Sequence, residues 1–247
     1  TCEITTPPSI TADEARMRLA QVMGALSADA GKPGALVPAA AVLSCVVPAL
    51  ERPWKAALSR TCTGRVLTVG PGLKTGMPVH YDDPAEIGPD RIADAVAARA
   101  VYGSPCIVID LGTTTNIEVI DAHGTFVGGV IAPGLALGAR SLSAAAARLP
   151  QVEPSAPTHV IGRNTREAMR SGVVLGEVAR IDGMLDMVLA EMRSTKAAGE
   201  GSVPIVITGD DAEALAALVG HSLTVDDALT LRGLAELYRI NQKPRRA

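Results

Sequence analysis

The stretch PCIVIDLGTTTNIEVIDAHGTFVGGVIAPG, Pro105 to Gly134, decides the fold. It opens as a continuous apolar run ending at Asp110, the mark of a strand covered on both faces. From Thr115 it alternates apolar and polar, turns at Asp121 to Gly124, and alternates again, so a strand and a hairpin follow. Beyond Gly134 the period changes. A long alanine-rich helix is predicted over 135–147 and another over about 165–192. VPIVITG then reads as a late buried strand, with DAEALAALVG a helix after it.

The order is three strands, helix, helix, strand, helix, which is that of one ribonuclease-H-like lobe. Working outward to the N-terminal side, Thr11 is a cap candidate for a helix closing at Gly31. ALVPAAAVLSCVVPAL reads as a buried strand ended by a proline turn, RPWKAALSRT as a short helix and GRVLTVG as a strand. A Gly/Pro-rich loop leads to a helix opening at Pro89, where proline is well tolerated. That half shows only the later elements of such a lobe. The fold expected is therefore α/β, two ribonuclease-H-like lobes, with the first lobe lacking its opening strands. The lobes are placed at 1–103 and 104–247.

Composition narrows the function. Lysine plus arginine number 23 and aspartate plus glutamate 26, a net charge of -3, which argues against a dedicated nucleic-acid binder. The basic tail KPRRA reads as a solvated end. Cys2, Cys45, Cys62 and Cys106 form no C-x-x-C pair and fit reduced thiols of a cytoplasmic protein. No apolar run approaches the roughly 20 residues of a membrane span, so no membrane partner is expected. The four histidines have no metal-ligand spacing.

Three stretches invite chemistry. In IVIDLGTTTNIEVID, Asp110 ends a strand ahead of Gly112 and the hydroxyls of Thr113, Thr114 and Thr115. Close backbone N–H groups, hydroxyl donors and a carboxylate suit a phosphate with its metal, and equally a capped strand-end turn. GPGLKTG has the wrong order for a Walker loop and reads as structural. In YDDPAEIGPDRIADAVAA, Asp90 and Arg91 read either as helix-start residues favoured by the dipole or as a base and a carboxylate clamp.

Together these segments resemble the type III pantothenate kinases, a branch of the acetate kinase, Hsp70 and actin superfamily. The resemblance rests on SCVVPAL, VGPGLKTGMPVHYDDPAEIGPDRIADAVAA, IVIDLGTTT, DAHGTFVGGVIAPG, ARLPQVE, IGRNTREAMRSGVVLG and IVITGDDAEAL, in order across nearly the whole chain. It implies phosphorylation of pantothenate by ATP, the first step toward coenzyme A, with Mg²⁺, a K⁺ or NH₄⁺ requirement, and a homodimer. It implies Asp90 as the catalytic carboxylate, and Arg91, Tyr81 and Gly88 in the pantothenate pocket. Thr165 would join that pocket from across the dimer interface. Asp110 would hold the monovalent cation, and Gly112 to Thr115 the phosphates.

The chain departs from the family pattern in places. The family's opening strand with its Asp-x-Gly-Asn-Thr motif has no counterpart here. Pro89 replaces an alanine of the usual GADR, Asn116 and Glu118 stand where threonine and aspartate are common, and Asp210 replaces a glycine near the nucleotide. These departures define the alternative expectation, a catalytically impaired relative acting as a regulatory or binding subunit.

Overall fold

The computed structural model describes residues 1–31 and 36–242, so the tail KPRRA lies outside the described residues. Helix α1 (Ala12–Asp29) starts at a capping box: Thr11 Oγ1 accepts from Glu14 N–H at 3.2 Å, and Glu14 Oε2 accepts from Thr11 N–H at 2.8 Å. Strand β1 (Ala41–Leu43), helix α2 (Pro48–Thr61), strand β2 (Val66–Thr68) and helix α3 (Pro89–Tyr102) follow, with β1 and β2 parallel. The apolar run expected as one long strand yields only three strand residues, and α2 starts earlier, at Pro48. Pro38 and Pro48 bracket that run, and its alanines have little strand preference.

The second half holds β3 (Cys106–Leu111), β4 (Thr114–Ile120), β5 (Phe126–Pro133) and α4 (Leu135–Ala145). Helix α5 (Thr165–Arg170) runs through a π-helical turn at Ser171–Leu175 into α6 (Gly176–Ser194). Strand β6 (Ile205–Gly209), α7 (Ala212–Ala216), β7 (Thr224–Val225) and α8 (Leu229–Ile240) complete the lobe. The sheet order is β5-β4-β3-β6-β7, with β4 antiparallel to both neighbours and β6 parallel to β3. This is the ribonuclease-H-like arrangement, and the α-β-α-β-α order of the first half repeats the run α6 to α8. Strand β7 and helix α8 have no counterpart in the sequence reading. Leu229, Gly233 and Leu237, spaced by four and all buried, are the signal that marks α8.

Strand parity distributes the core. Ile107, Ile109 and Leu111 of β3, with Ile117 and Val119 of β4, pack against Val178, Ile181 and Leu185 of α6. Cys106, Val108, Ile120 and Phe126 point the other way, toward α3 and α8. Alanine suits α3 because its neighbours come very close. A Cβ at Gly233 of α8 would lie 1.9 Å from the Ala93 carbonyl oxygen, so the two helices meet backbone to backbone. Burial pushes the Cys106 thiol up to about 12, which makes it inert packing.

Candidate active site

The same parity builds the site. Asp110 is even-numbered on β3, so its side chain faces α3 rather than α6. Opposite it in the ladder stands Asn116, whose Nδ2 donates to Asp110 Oδ2 at 3.4 Å. Glu118 pairs with Val108 on that face and is fully buried. Helix α3 lays its first turns over this surface, which brings Asp90, Arg91 and Asp94 to the carboxyl end of β3. Ligands of open α/β sheets bind at such carboxyl strand ends, at the point where the strand order reverses.

Arg91 is 5% exposed and is held on three sides. Its Nε donates to Glu118 Oε1 at 3.0 Å. The guanidinium lies 5.7 Å from the centre of the Phe126 ring, which supplies a cation–π contact. Glycine at position 129 makes room, since a Cβ there would come within 3.1 Å of Arg91 Nη2 and 1.8 Å of the Ile117 carbonyl oxygen. Neither Nη nitrogen has a hydrogen-bond partner among the described residues.

Residues 78–80 run beside the start of β5: Phe126 N–H donates to the Pro78 carbonyl at 3.0 Å, and His80 N–H to the Phe126 carbonyl at 2.8 Å. This sets Tyr81 against Phe126, with ring centres 6.1 Å apart. Asp90 folds back over Gly88: its Oδ1 accepts from Arg91 N–H at 2.9 Å, and a Cβ on Gly88 would lie 2.4 Å from that oxygen. Tyr81, Gly88, Asp90, Arg91 and Asp110 thus gather around one helix start.

The cluster is rich in acid. Burial, opposed by Asn116 and aided by the charges of Asp90 and Asp210, pushes Asp110 up to about 6. Burial also raises Asp94 to about 8, opposed by the Thr230 hydroxyl, with Asp110 and Asp90 adding to it, and neither of its oxygens has a well-formed hydrogen bond among the described residues. Glu118 is raised by burial while Arg91 pulls it down. Sequence reading did not single out Asp94. Its signal is an acid four residues after Asp90, on the same face of an alanine-rich helix.

The threonine run divides between the two faces of the sheet. Thr114 shares the α3 face and donates from Oγ1 to Asn116 Oδ1 at 3.3 Å. Thr113 is exposed at the turn. Thr115 points to the opposite face, where its hydroxyl donates to Glu177 Oε1 at 2.6 Å, and Glu177 in turn pairs with Arg180. The Thr115 hydroxyl is therefore committed within the protein and does not face the strand-end cleft, contrary to its grouping with Gly112, Thr113 and Thr114. Thr165 is exposed in the first turn of α5, and no hydrogen bond joins it to the cluster among the described residues.

A groove of about 270 Å³ beside the α3 start is lined by Val69, Leu73, Met77, Val79, Ile87 and Ile92, among others, and by no charged side chain. It offers no charged group to an anion, so the polar cluster rather than this groove is the candidate site. No helix among the described residues is long and apolar enough to cross a membrane.

The family model for type III pantothenate kinase matches residues 1–187. A type III pantothenate kinase of Koribacter versatilis is 42% identical over 201 residues, covering 81% of this chain and 71% of that protein. Type III pantothenate kinase 2 of Symbiobacterium thermophilum is 40% identical over 242 residues, covering 97% of this chain and 87% of its own. Among solved structures, a conserved Campylobacter jejuni protein described under the Baf family of transcriptional activators is 23% identical. The match covers 71% of this chain and 73% of that one, with a TM-score of 0.49.

Proposed function

The chain belongs to the type III pantothenate kinase family, and we propose on that premise that it transfers the γ-phosphoryl group of ATP to the primary hydroxyl of pantothenate. One observation carries the reading to this chain's own residues: a buried arginine with a free Nη edge sits beside a half-buried carboxylate at the end of β3. The family relatives' names favour catalysis over the regulatory alternative.

In this mechanism the pantothenate carboxylate accepts two parallel hydrogen bonds from the Arg91 Nη pair. Tyr81 and Gly88 border the same pocket. The substrate hydroxyl faces Asp90, whose free carboxylate oxygen takes the proton as the new P–O bond forms. The bond from the γ-phosphorus to the bridging oxygen breaks, and its electrons leave with ADP. Transfer of this kind has a loose transition state, so orientation and charge neutralisation matter more than base strength.

The donor set fits cations on its own evidence. Asp110 is raised by burial and by two neighbouring carboxylates, a crowding that a bound cation relieves. Asp110 would hold K⁺ or NH₄⁺, which supplies positive charge beside the phosphates. No group of three or more ligating side chains is positioned for a metal among the described residues. Mg²⁺ is commonly held by one or two carboxylates together with substrate phosphates, so it would enter with ATP. Gly112, Thr113 and Thr114 would line the phosphates, and Thr115 would brace them through Glu177. Thr165, exposed on α5, would reach the pocket of a second protomer in a homodimer with each chain split near residue 103. A cytoplasmic setting accords with the substrates.

The test is formation of 4'-phosphopantothenate from ATP and pantothenate with Mg²⁺ and K⁺. Asp90→Asn should lower kcat by about 10²–10⁴-fold, the range for loss of a general base, with an unchanged circular dichroism spectrum. Full turnover in that variant removes Asp90 from the reaction.

A further inference from the structure

A guanidinium can offer a ligand any of three edges, and an unrestrained one must be ordered when the ligand binds. Arg91 is already ordered. Glu118 takes its Nε edge and Phe126 covers a face, while the missing side chain of Gly129 leaves room beside Nη2. Only the Nη1/Nη2 edge is left without a protein partner among the described residues.

We propose that Glu118 is a positioning residue for recognition of the substrate carboxylate, fixing Arg91 through Nε so that only the planar Nη edge meets the ligand. This rests on the pantothenate reading above and adds a residue to it. The geometry favours orientation over stability as the purpose of the pair. Glu118 is 0% exposed and makes one bond to Arg91, while its Oε2 has no hydrogen-bond partner among the described residues. Replacing a buried ion pair with apolar side chains is often neutral or stabilising, so a singly bonded pair is a poor device for stability alone. Glu118 lies on the middle of β4, locked by pairing to β3 and to β5, and is therefore a rigid anchor. Asp94, one helical turn beyond Arg91, is raised by burial to about 8 and holds its proton at neutral pH. Arg91 is the opposite charge facing Glu118, and it opposes the burial that raises that acid.

A guanidinium presented this way selects a flat, two-oxygen anion. The readout is the ratio of kcat/KM for pantothenate to kcat/KM for the analogue whose carboxylate is reduced to an alcohol. Wild type, Glu118→Gln and Glu118→Met are compared, each checked for folding by circular dichroism. Gln keeps an acceptor for Nε–H without the charge; Met keeps the volume and removes the acceptor. The expected discrimination falls about threefold in Gln and about tenfold or more in Met, carried by KM for pantothenate, while KM for ATP stays within about twofold. Where Met does not fold, the threefold loss in Gln decides. A structural role alone lowers activity on both substrates together and leaves their ratio at the wild-type value, and that result overturns the proposal while the kinase reading stands. A wild-type chain that phosphorylates neither substrate overturns both.

Discussion

Replacing Asp94 with asparagine should make the protein relatively more stable the higher the pH. Asp94 is 0% exposed, on the buried face of α3, and neither carboxylate oxygen has a well-formed hydrogen bond among the described residues. Burial, opposed by the Thr230 hydroxyl and aided by the charges of Asp110 and Asp90, lifts it from an ordinary 3.8 to about 8; Glu118 is another charged neighbour. The folded pKa lies above the unfolded one, so the fold binds the proton more tightly. That contribution is complete below 3.8, declines as pH rises, and is gone above about 8. Asparagine carries no titrating proton and imitates the neutral acid. At about 1.4 kcal/mol per pH unit, stability of Asp94→Asn relative to wild type should rise by about 4 kcal/mol between pH 5 and pH 8, then level off. Urea unfolding followed at 222 nm across that range reads it as a midpoint difference growing by roughly 1–2 M. Any misfit of the amide adds an offset independent of pH, so only the slope matters. Parallel curves for the two proteins would refute a neutral Asp94.

Arg91→Lys keeps the charge but loses the planar fork, so KM for pantothenate should rise about tenfold or more with KM for ATP within about twofold; equal effects on both substrates would remove Arg91 from the carboxylate. Thr115→Val loses the bond to Glu177 and should cost about 1–2 kcal/mol in urea unfolding while KM for ATP stays within about twofold. A tenfold rise in KM for ATP would return that hydroxyl to the phosphates. Asp210 is exposed and adds negative charge beside Asp110, so Asp210→Asn should lower KM for ATP by roughly threefold at low salt, an effect fading as the Debye length shortens. No salt-dependent change would place the Asp210 carboxylate away from the nucleotide.

Much of this fold is legible from hydrophobic period. β3, the β4–β5 hairpin and the α5–α6 rod follow from the sequence because each has a long, clean pattern. β1 is overread because an apolar run is judged by its length, while the chain between Pro38 and Pro48 adopts strand for three residues only. α8 escapes because its start has no side-chain cap and its core face includes Gly233, whose contribution is the absence of a side chain. For the site, the residues at the α3 start are recognisable as a string, yet their partners are not. Glu118 lies 27 positions from Arg91, and only the β3–β4 register turns it toward α3. The same register turns Thr115 away from its neighbours.

Charge explains why these partners matter. A cleft holding Asp90, Asp94, Asp110, Glu118 and Asp210 around a single arginine would, fully ionised, repel a triphosphate and a carboxylic acid alike. The fold reduces that charge by different means at different depths. Asp94, deepest, keeps its proton because burial makes the anion too costly. Glu118, also fully buried, faces Arg91, whose charge opposes the cost of its burial. Asp110, at the strand end, sits near 6 and is the acid that a cation can neutralise without leaving solvent behind entirely. Asp90 is half-buried with one oxygen uncommitted among the described residues, at the helix start where a substrate hydroxyl would meet it. Depth of burial thus sets chemically similar carboxylates apart, which is why the order of residues alone does not distinguish the proposed base from the acids that surround it.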